Sequence, residues 1–113
     1  LTSCTAADRH WQELWGAAVE RFHDPEHGIN IVIGPVTAYS ASEDLLRGAA
    51  ALRRKHGLVG HIHLLETRGQ ALQARQFLPT GSAVKYLHST GFLQVRLSAP
   101  LEVCCGCDEE AST

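Results

Sequence analysis

From Ala6 to Phe22 the apolar residues Trp11, Leu14, Trp15, Ala18, Val19 and Phe22 recur at spacings of three and four. That period predicts an amphipathic helix with one apolar stripe, ended by Asp24-Pro25 and Gly28. The pattern then changes. Ile29 to Ile33 (Ile-Asn-Ile-Val-Ile) is a short β-branched run closed by Gly34-Pro35, as in a buried strand of a parallel sheet. Ser40 and Glu43 have capping-box spacing and predict the start of a second helix, with Leu45, Leu46, Ala49, Ala50 and Leu52 on its apolar face. Arg53, Arg54, Lys55 and His56 put positive charge in its last turn and Gly57 follows, both suited to a helix C-terminus. Leu58 to Leu65 is the next expected strand. Arg68 to Phe77 is a helix stopped near Pro79-Thr80-Gly81, and another starts at Ser82 and ends by Ser89-Thr90-Gly91. Phe92 to Leu97 is a strand or an extended segment.

Strands alternating with helices predict βαβ units with parallel pairing, so the expected class is α/β. The periodicity stops after about Ala99, and 100–113 becomes rich in cysteine and acidic residues. The expected organisation is one domain over 1–99 and a divergent tail over 100–113 that lies outside the fold.

Composition narrows the function classes. The chain has 113 residues, room for one modest core. Hydrophobic residues at 44% and charged residues at 19% exclude wholesale disorder. A net charge of -2 gives no nucleic-acid footprint and no polybasic membrane patch. No apolar run approaches the roughly 20 residues of a membrane span. The N-terminus lacks the basic-then-apolar pattern of a secretory signal. Cys4 stands alone while Cys104, Cys105 and Cys107 crowd together, unlike a disulfide framework. The expectation is a cytoplasmic setting. The chain starts at Leu1 and contains no methionine, so an incomplete translation product is expected.

The chemistry concentrates in His61-Ile62-His63-Leu64-Leu65-Glu66-Thr67. Residues two apart in a strand share a face, so His61, His63 and Leu65 are expected on one face and Ile62 and Leu64 on the other. βα proteins place their sites at the C-terminal ends of parallel strands. A histidine near such an end, with a glutamate three residues on, sets a possible metal ligand beside a possible proton carrier. Spacing alone leaves a second reading open, a non-enzymatic small α/β domain in which His61 and His63 are structural polar residues. Other candidates carry less. Cys104-Cys105-Gly106-Cys107 lacks two-loop zinc spacing. His23 and His27 fit a solvated turn, Trp11 and Trp15 fit a helix core, and His88-Ser89 lacks a nucleophile-elbow context.

The stretch from Ile29 to about Leu93 resembles the amidohydrolase superfamily, in its aminohydrolase/chlorohydrolase branch of cytosine, guanine and adenosylhomocysteine deaminases and triazine hydrolases. The matching residues are Gly34-Pro35, then Ser40 to Leu46, then Gly60-His61-Ile62-His63-Leu64-Leu65-Glu66-Thr67-Arg68 with Gln70-Ala71. Ser82-Ala83-Val84-Lys85-Tyr86-Leu87 and Gly91-Phe92-Leu93 follow in the same order. The resemblance implies part of a distorted (β/α)8 TIM-like barrel, with two or three parallel strands and flanking helices. It makes Ile29 to Ile33 the fourth strand and Leu58 to Leu65 the fifth. His63 becomes the fifth-strand ligand of a divalent metal, zinc or iron. Glu66 becomes the general acid/base, and His61 supports from deeper on the same face. Thr37, Tyr39 and Gln70 fall where substrate would be touched.

The implied reaction is hydrolytic deamination or dechlorination of a small nitrogen heterocycle. The implied partner is that small molecule, with no nucleic acid and no membrane, and with a homo-oligomer possible. The family also needs a His-x-His from its first strand, a histidine from its sixth and an aspartate from its eighth. Leu97 to Glu102 offers no histidine, and Pro100 would interrupt a central strand. The expectation is a barrel fragment, inactive alone, whose last dozen or so residues come from a shifted frame or an unrelated junction; sequencing the source DNA through this region tests that.

Overall fold

The structure is a computed structural model that describes residues 5–93 together with the backbone of 101–105. Among the described residues, four α-helices and two strands follow in the order α1 (Ala6–Phe22), α2 (Glu43–His56), β1 (Gly60–Leu64), α3 (Arg68–Phe77), α4 (Ala83–Ser89) and β2 (Leu101–Cys105).

Helix boundaries follow local chemistry. Thr5 and Asp8 form a reciprocal capping box at α1, each side chain accepting from the other residue's N–H at 3.1 Å. At α2 the cap is Ser42, which accepts from Leu45 N–H, and not the expected Ser40. Ser40 is held in the preceding turn, where its N–H donates to the Thr37 hydroxyl at 3.1 Å. Gly57 ends α2 at φ 63°, a left-handed cap that costs little without a Cβ. Thr67 and Ser82 cap α3 and α4 in the same way as Ser42 caps α2.

β1 is shorter than the expected Leu58 to Leu65. It pairs in parallel with β2, with Gly60 opposite Leu101, His63 opposite Cys104 and Leu64 opposite Cys105. The Ile29 to Ile33 run does not form a strand. Its start closes a tight turn, with Asp24 and Ile29 exchanging backbone bonds of 2.8 and 2.9 Å around the 3-10 turn Pro25–His27. Among the described residues, isolated parallel bridges join the segment 33–37 to β1, Ile33 to Gly60 and Thr37 to His63. Five residues on one side, 33–37, thus match four on the other, 60–63. The extra residue falls around Gly34-Pro35, where proline has no N–H to extend the ladder. Residues 33–37 still run alongside β1, parallel to it. Phe92 and Leu93 lie outside any strand, and 94–97 lie outside the described residues. Leu101–Cys105 belongs to the stretch expected as a divergent tail, and it supplies a strand that begins directly after Pro100.

The core joins the inner face of α2 (Leu46, Ala49, Ala50) to Ile62 and Leu64 of β1 and to small residues of α3 and α4. Ala71 and Ala74 of α3 and Ala83 of α4 are buried in the same cluster, together with the large side chains Phe92, Leu87 and Leu58. Each large side chain buried there contributes about 1.5–3 kcal/mol. Arg53 is buried among them. Its guanidinium donates to the Leu58 carbonyl at 3.1 Å and the Phe92 carbonyl at 2.8 Å, tying the end of α2 to two loops.

The apolar stripe of α1 is only partly covered. Val19 is buried, but Trp11, Leu14 and Phe22 are about half exposed. Among the described residues α1 packs chiefly on α2, and one neighbour cannot cover a stripe this wide. The α1–α2 contact is close: a Cβ at Gly48 would sit 2.4 Å from Gln12 Cδ, and Gln12 Nε2 donates to the Asp44 carbonyl.

Candidate active site

The site is built at the C-terminal end of β1. Alternation holds through the strand: Gly60, Ile62 and Leu64 are buried, and His61 and His63 are half-buried on the other face. It fails at Leu65. This residue is buried and has φ 52°, the left-handed region that non-glycine residues seldom enter. Leu65 therefore departs from the histidine face on which alternation placed it. The backbone turn there has a consequence for Glu66. Strict alternation would send Glu66 to the face opposite His63, yet its Oε1 lies 3.5 Å from His63 Nδ1. A strained residue at the strand end thus brings a carboxylate back to the histidine.

The His63–Glu66 pair is within ion-pair distance but lacks hydrogen-bond alignment. His63 Nδ1 is itself inaccessible to solvent and has no hydrogen-bond partner among the described residues. Burying such a nitrogen without a partner costs about 1–3 kcal/mol. The rest of the imidazole remains partly open, as does Glu66, each side chain near 40% exposed. The His61 ring meets the His63 ring edge to face, with centroids 5.6 Å apart.

Gln70, on the first turn of α3, holds Glu66 from behind. Its Oε1 accepts from Glu66 N–H at 2.7 Å, and its Nε2 donates to Glu66 Oε2 at 3.3 Å. Tyr39 completes the connection, its hydroxyl donating to the Gln70 carbonyl at 2.9 Å. Thr37 lies next to His63 through the backbone bridge, and its hydroxyl meets that of Ser40 at 3.0 Å.

The six residues picked from the sequence, Thr37, Tyr39, His61, His63, Glu66 and Gln70, are therefore neighbours. The Tyr39 hydroxyl is engaged with the Gln70 carbonyl, the Gln70 amide with Glu66, and the Thr37 hydroxyl with Ser40. Sequence reasoning missed Leu65, whose only signal is that Glu66 must return to a face that alternation denies it. His23 and His27 sit in the turn before residue 33, bonded to Ile31 N–H and to Asp24 Oδ2.

A catalytic zinc takes three protein ligands. Among the described residues no three histidine, cysteine, aspartate or glutamate side chains converge in that way. His63, with an inaccessible and unpartnered ring nitrogen, fits as one ligand of such a centre, and Glu66 fits as a carboxylate beside it. Among the described residues no helix is long and apolar enough to cross a membrane.

No protein-family profile matches the chain. It is similar to a curated protein, the 5'-deoxyadenosine deaminase of Methanothermobacter thermautotrophicus, with 35% identity over 71 residues. The match takes in 63% of this chain and spans 16% of that protein. No solved structure matches.

Proposed function

We propose that this chain carries one part of the active site of a metal-dependent amidohydrolase that deaminates or dechlorinates a small nitrogen heterocycle. The observation that carries the reading is the His63–Glu66 pair at a strand end, with an unpartnered, inaccessible imidazole nitrogen 3.5 Å from a carboxylate. The similarity to a 5'-deoxyadenosine deaminase favours deamination, and a nucleoside-like substrate, over dechlorination. The partial-barrel architecture belongs to the same reading. It is supported by the parallel course of residues 33–37, β1 and β2, and by a site at the C-terminal end of the strand.

Each residue then has a task. His63 would hold a divalent metal, zinc or iron, whose chemistry when bound is to acidify water and polarise the electrophile. Glu66 takes a proton from the attacking water and returns it to the departing nitrogen. Gln70 fixes the Glu66 carboxylate, and His61 packs against His63 to hold its ring.

The test has two arms. The 113-residue chain supplied with zinc is expected to show no turnover of adenosine or 5'-deoxyadenosine, because no three-ligand set converges among the described residues. The intact protein encoded at the same locus is expected to deaminate such a substrate. There, Glu66→Gln should lower kcat by about 10²–10⁴-fold with the metal retained, and His63→Ala should lose the metal. Full activity in Glu66→Gln would refute the assignment. Turnover by the short chain, abolished by Glu66→Gln, would refute the incomplete site while keeping the role of Glu66.

A further inference from the structure

His23 ends α1, half-buried, with its own N–H bonded to the Val19 carbonyl at 3.0 Å. Its ring serves a different segment: Nδ1 accepts the backbone N–H of Ile31 at 3.1 Å. A backbone N–H can only donate, so this Nδ1 carries no proton and the ring is neutral. The bond clamps the outside of the turn that Asp24 and Ile29 close through their backbones. It also fixes the chain where it enters residues 33–37. These run on beside β1, where Ile33 N–H bonds the Val59 carbonyl at 3.0 Å and the Val36 carbonyl accepts from His63 N–H at 3.1 Å.

His27 in the same turn has the opposite requirement. Its Nδ1 lies 2.7 Å from Asp24 Oδ2, and it donates there both as a neutral tautomer and as an imidazolium. A proton taken up by His27 leaves that bond in place. A proton taken up by His23 at Nδ1 removes the acceptor from Ile31 and turns two N–H groups toward each other. The charged ring gains instead from the end of α1, where the last carbonyls of a helix lack intrahelical partners and carry the negative end of its dipole. Of the charged groups on the surrounding elements, Glu20 and Asp24 favour the charged ring. Arg21 opposes it, as do Lys55 and His56 in the basic last turn of α2, the helix packed on α1. The released state binds the extra proton, so release grows as pH falls.

We propose that His23 is a proton-sensitive latch. With the ring neutral it holds Ile31, and the entry to residues 33–37, against the end of α1. With the ring protonated it lets that entry go. The latch operates in the range where imidazole changes charge, about pH 5 to 8, and is independent of the hydrolase reading.

Residue-resolved amide exchange of the 113-residue chain, expressed as protection factors, tests this. Protection at Ile31 should fall about fivefold to tenfold between about pH 7.5 and about pH 5, in step with the titration of the His23 ring followed by NMR. The His61 and His63 amides, held by Ile33 and Val36, should keep theirs. His23→Asn places an acceptor oxygen near the position of Nδ1 and takes up no proton in this range, so the Ile31 loss should vanish. His27→Asn should keep it. Constant Ile31 protection in the unaltered chain overturns the proposal. So does an equal loss in His23→Asn, or a loss shared by every protected amide, which is global unfolding. The readings on the unaltered chain need no variant, so they decide the matter even where His23→Asn fails to fold.

Discussion

Gln70 meets Glu66 twice, accepting from its backbone N–H at 2.7 Å and donating to its carboxylate at 3.3 Å. One amide thus fixes both the entry into α3 and the direction of the proposed acid/base. Gln70→Leu removes both bonds at similar volume. In the intact protein the expected result is a kcat lower by about 10–100-fold with KM nearly unchanged, because a displaced proton carrier acts on the transition state. Steady-state kinetics checks this. An equal rise in KM with unchanged kcat would instead assign Gln70 to substrate binding.

Leu65 couples strain to burial. Its left-handed backbone costs about 1–2 kcal/mol, and its buried side chain returns more than that. Leu65→Ala keeps the strain and loses the packing, whereas Leu65→Gly loses the packing and relieves the strain. Leu65→Gly is therefore expected to be the more stable variant by about 1 kcal/mol, against the usual ranking of glycine below alanine. Urea unfolding of the pair decides it.

Arg53 is a buried cation used as a brace. Burial is the main cause that holds its guanidinium below its ordinary pKa, with Arg54 adding to it, yet it remains protonated at any working pH. Arg53→Leu would leave the Leu58 and Phe92 carbonyls without these donors. The expected loss is about 2–4 kcal/mol, seen as a lower urea midpoint with the slope retained. Arg53→Lys should recover only part, since one ammonium cannot reproduce the fork.

Asp8 gives the chain an acid-sensitive helix start. The Thr5 N–H bond lowers the Asp8 pKa below its ordinary 3.8, ahead of opposing desolvation. A depressed folded-state pKa adds stability that is complete above 3.8 and is lost as pH falls through the lower folded value. Far-UV circular dichroism should show α1 weakening below that point. In Asp8→Asn this acid-dependent part should be absent.

Gly48 sets the distance between α1 and α2. An added Cβ would collide with the Gln12 amide, the far end of a flexible side chain. Gly48→Ala is therefore expected to expel that side chain and break its bond to Asp44, while gaining about 1 kcal/mol of helix propensity. The net change should be under 1 kcal/mol. The double variant with Gln12→Ala should be more stable than Gln12→Ala alone, which a double-mutant cycle measures.

Much of this was legible along the chain. The period of apolar residues and the Thr, Ser and Gly punctuation placed α1 and α3 at their observed bounds, because capping and amphipathicity are local. His63 and Glu66 were legible as a pair through motif resemblance. The Ile29 to Ile33 run differs from the expected strand: its β-branched residues carry strand propensity, but Ile29 closes the turn with Asp24 and Ile33 makes an isolated bridge to Gly60. Tertiary pairing overrides propensity in such short runs. The α1 stripe was misread in another sense. Its pattern specifies a face to be covered, and nothing in a pattern states how much of that face its neighbours reach.

The sequence by itself determined the bounds of α1 and α3, which face of β1 carries His61 and His63, and which residues are candidates for the proposed hydrolytic site. Those are matters of one- to four-residue spacing. Tertiary structure decided how Glu66 approaches His63: the backbone turns left-handed at the buried Leu65, and Glu66 Oε1 comes to 3.5 Å from His63 Nδ1. It also decided that the Tyr39 hydroxyl bonds the Gln70 carbonyl, since a contact across 31 residues depends on packing that no local period encodes.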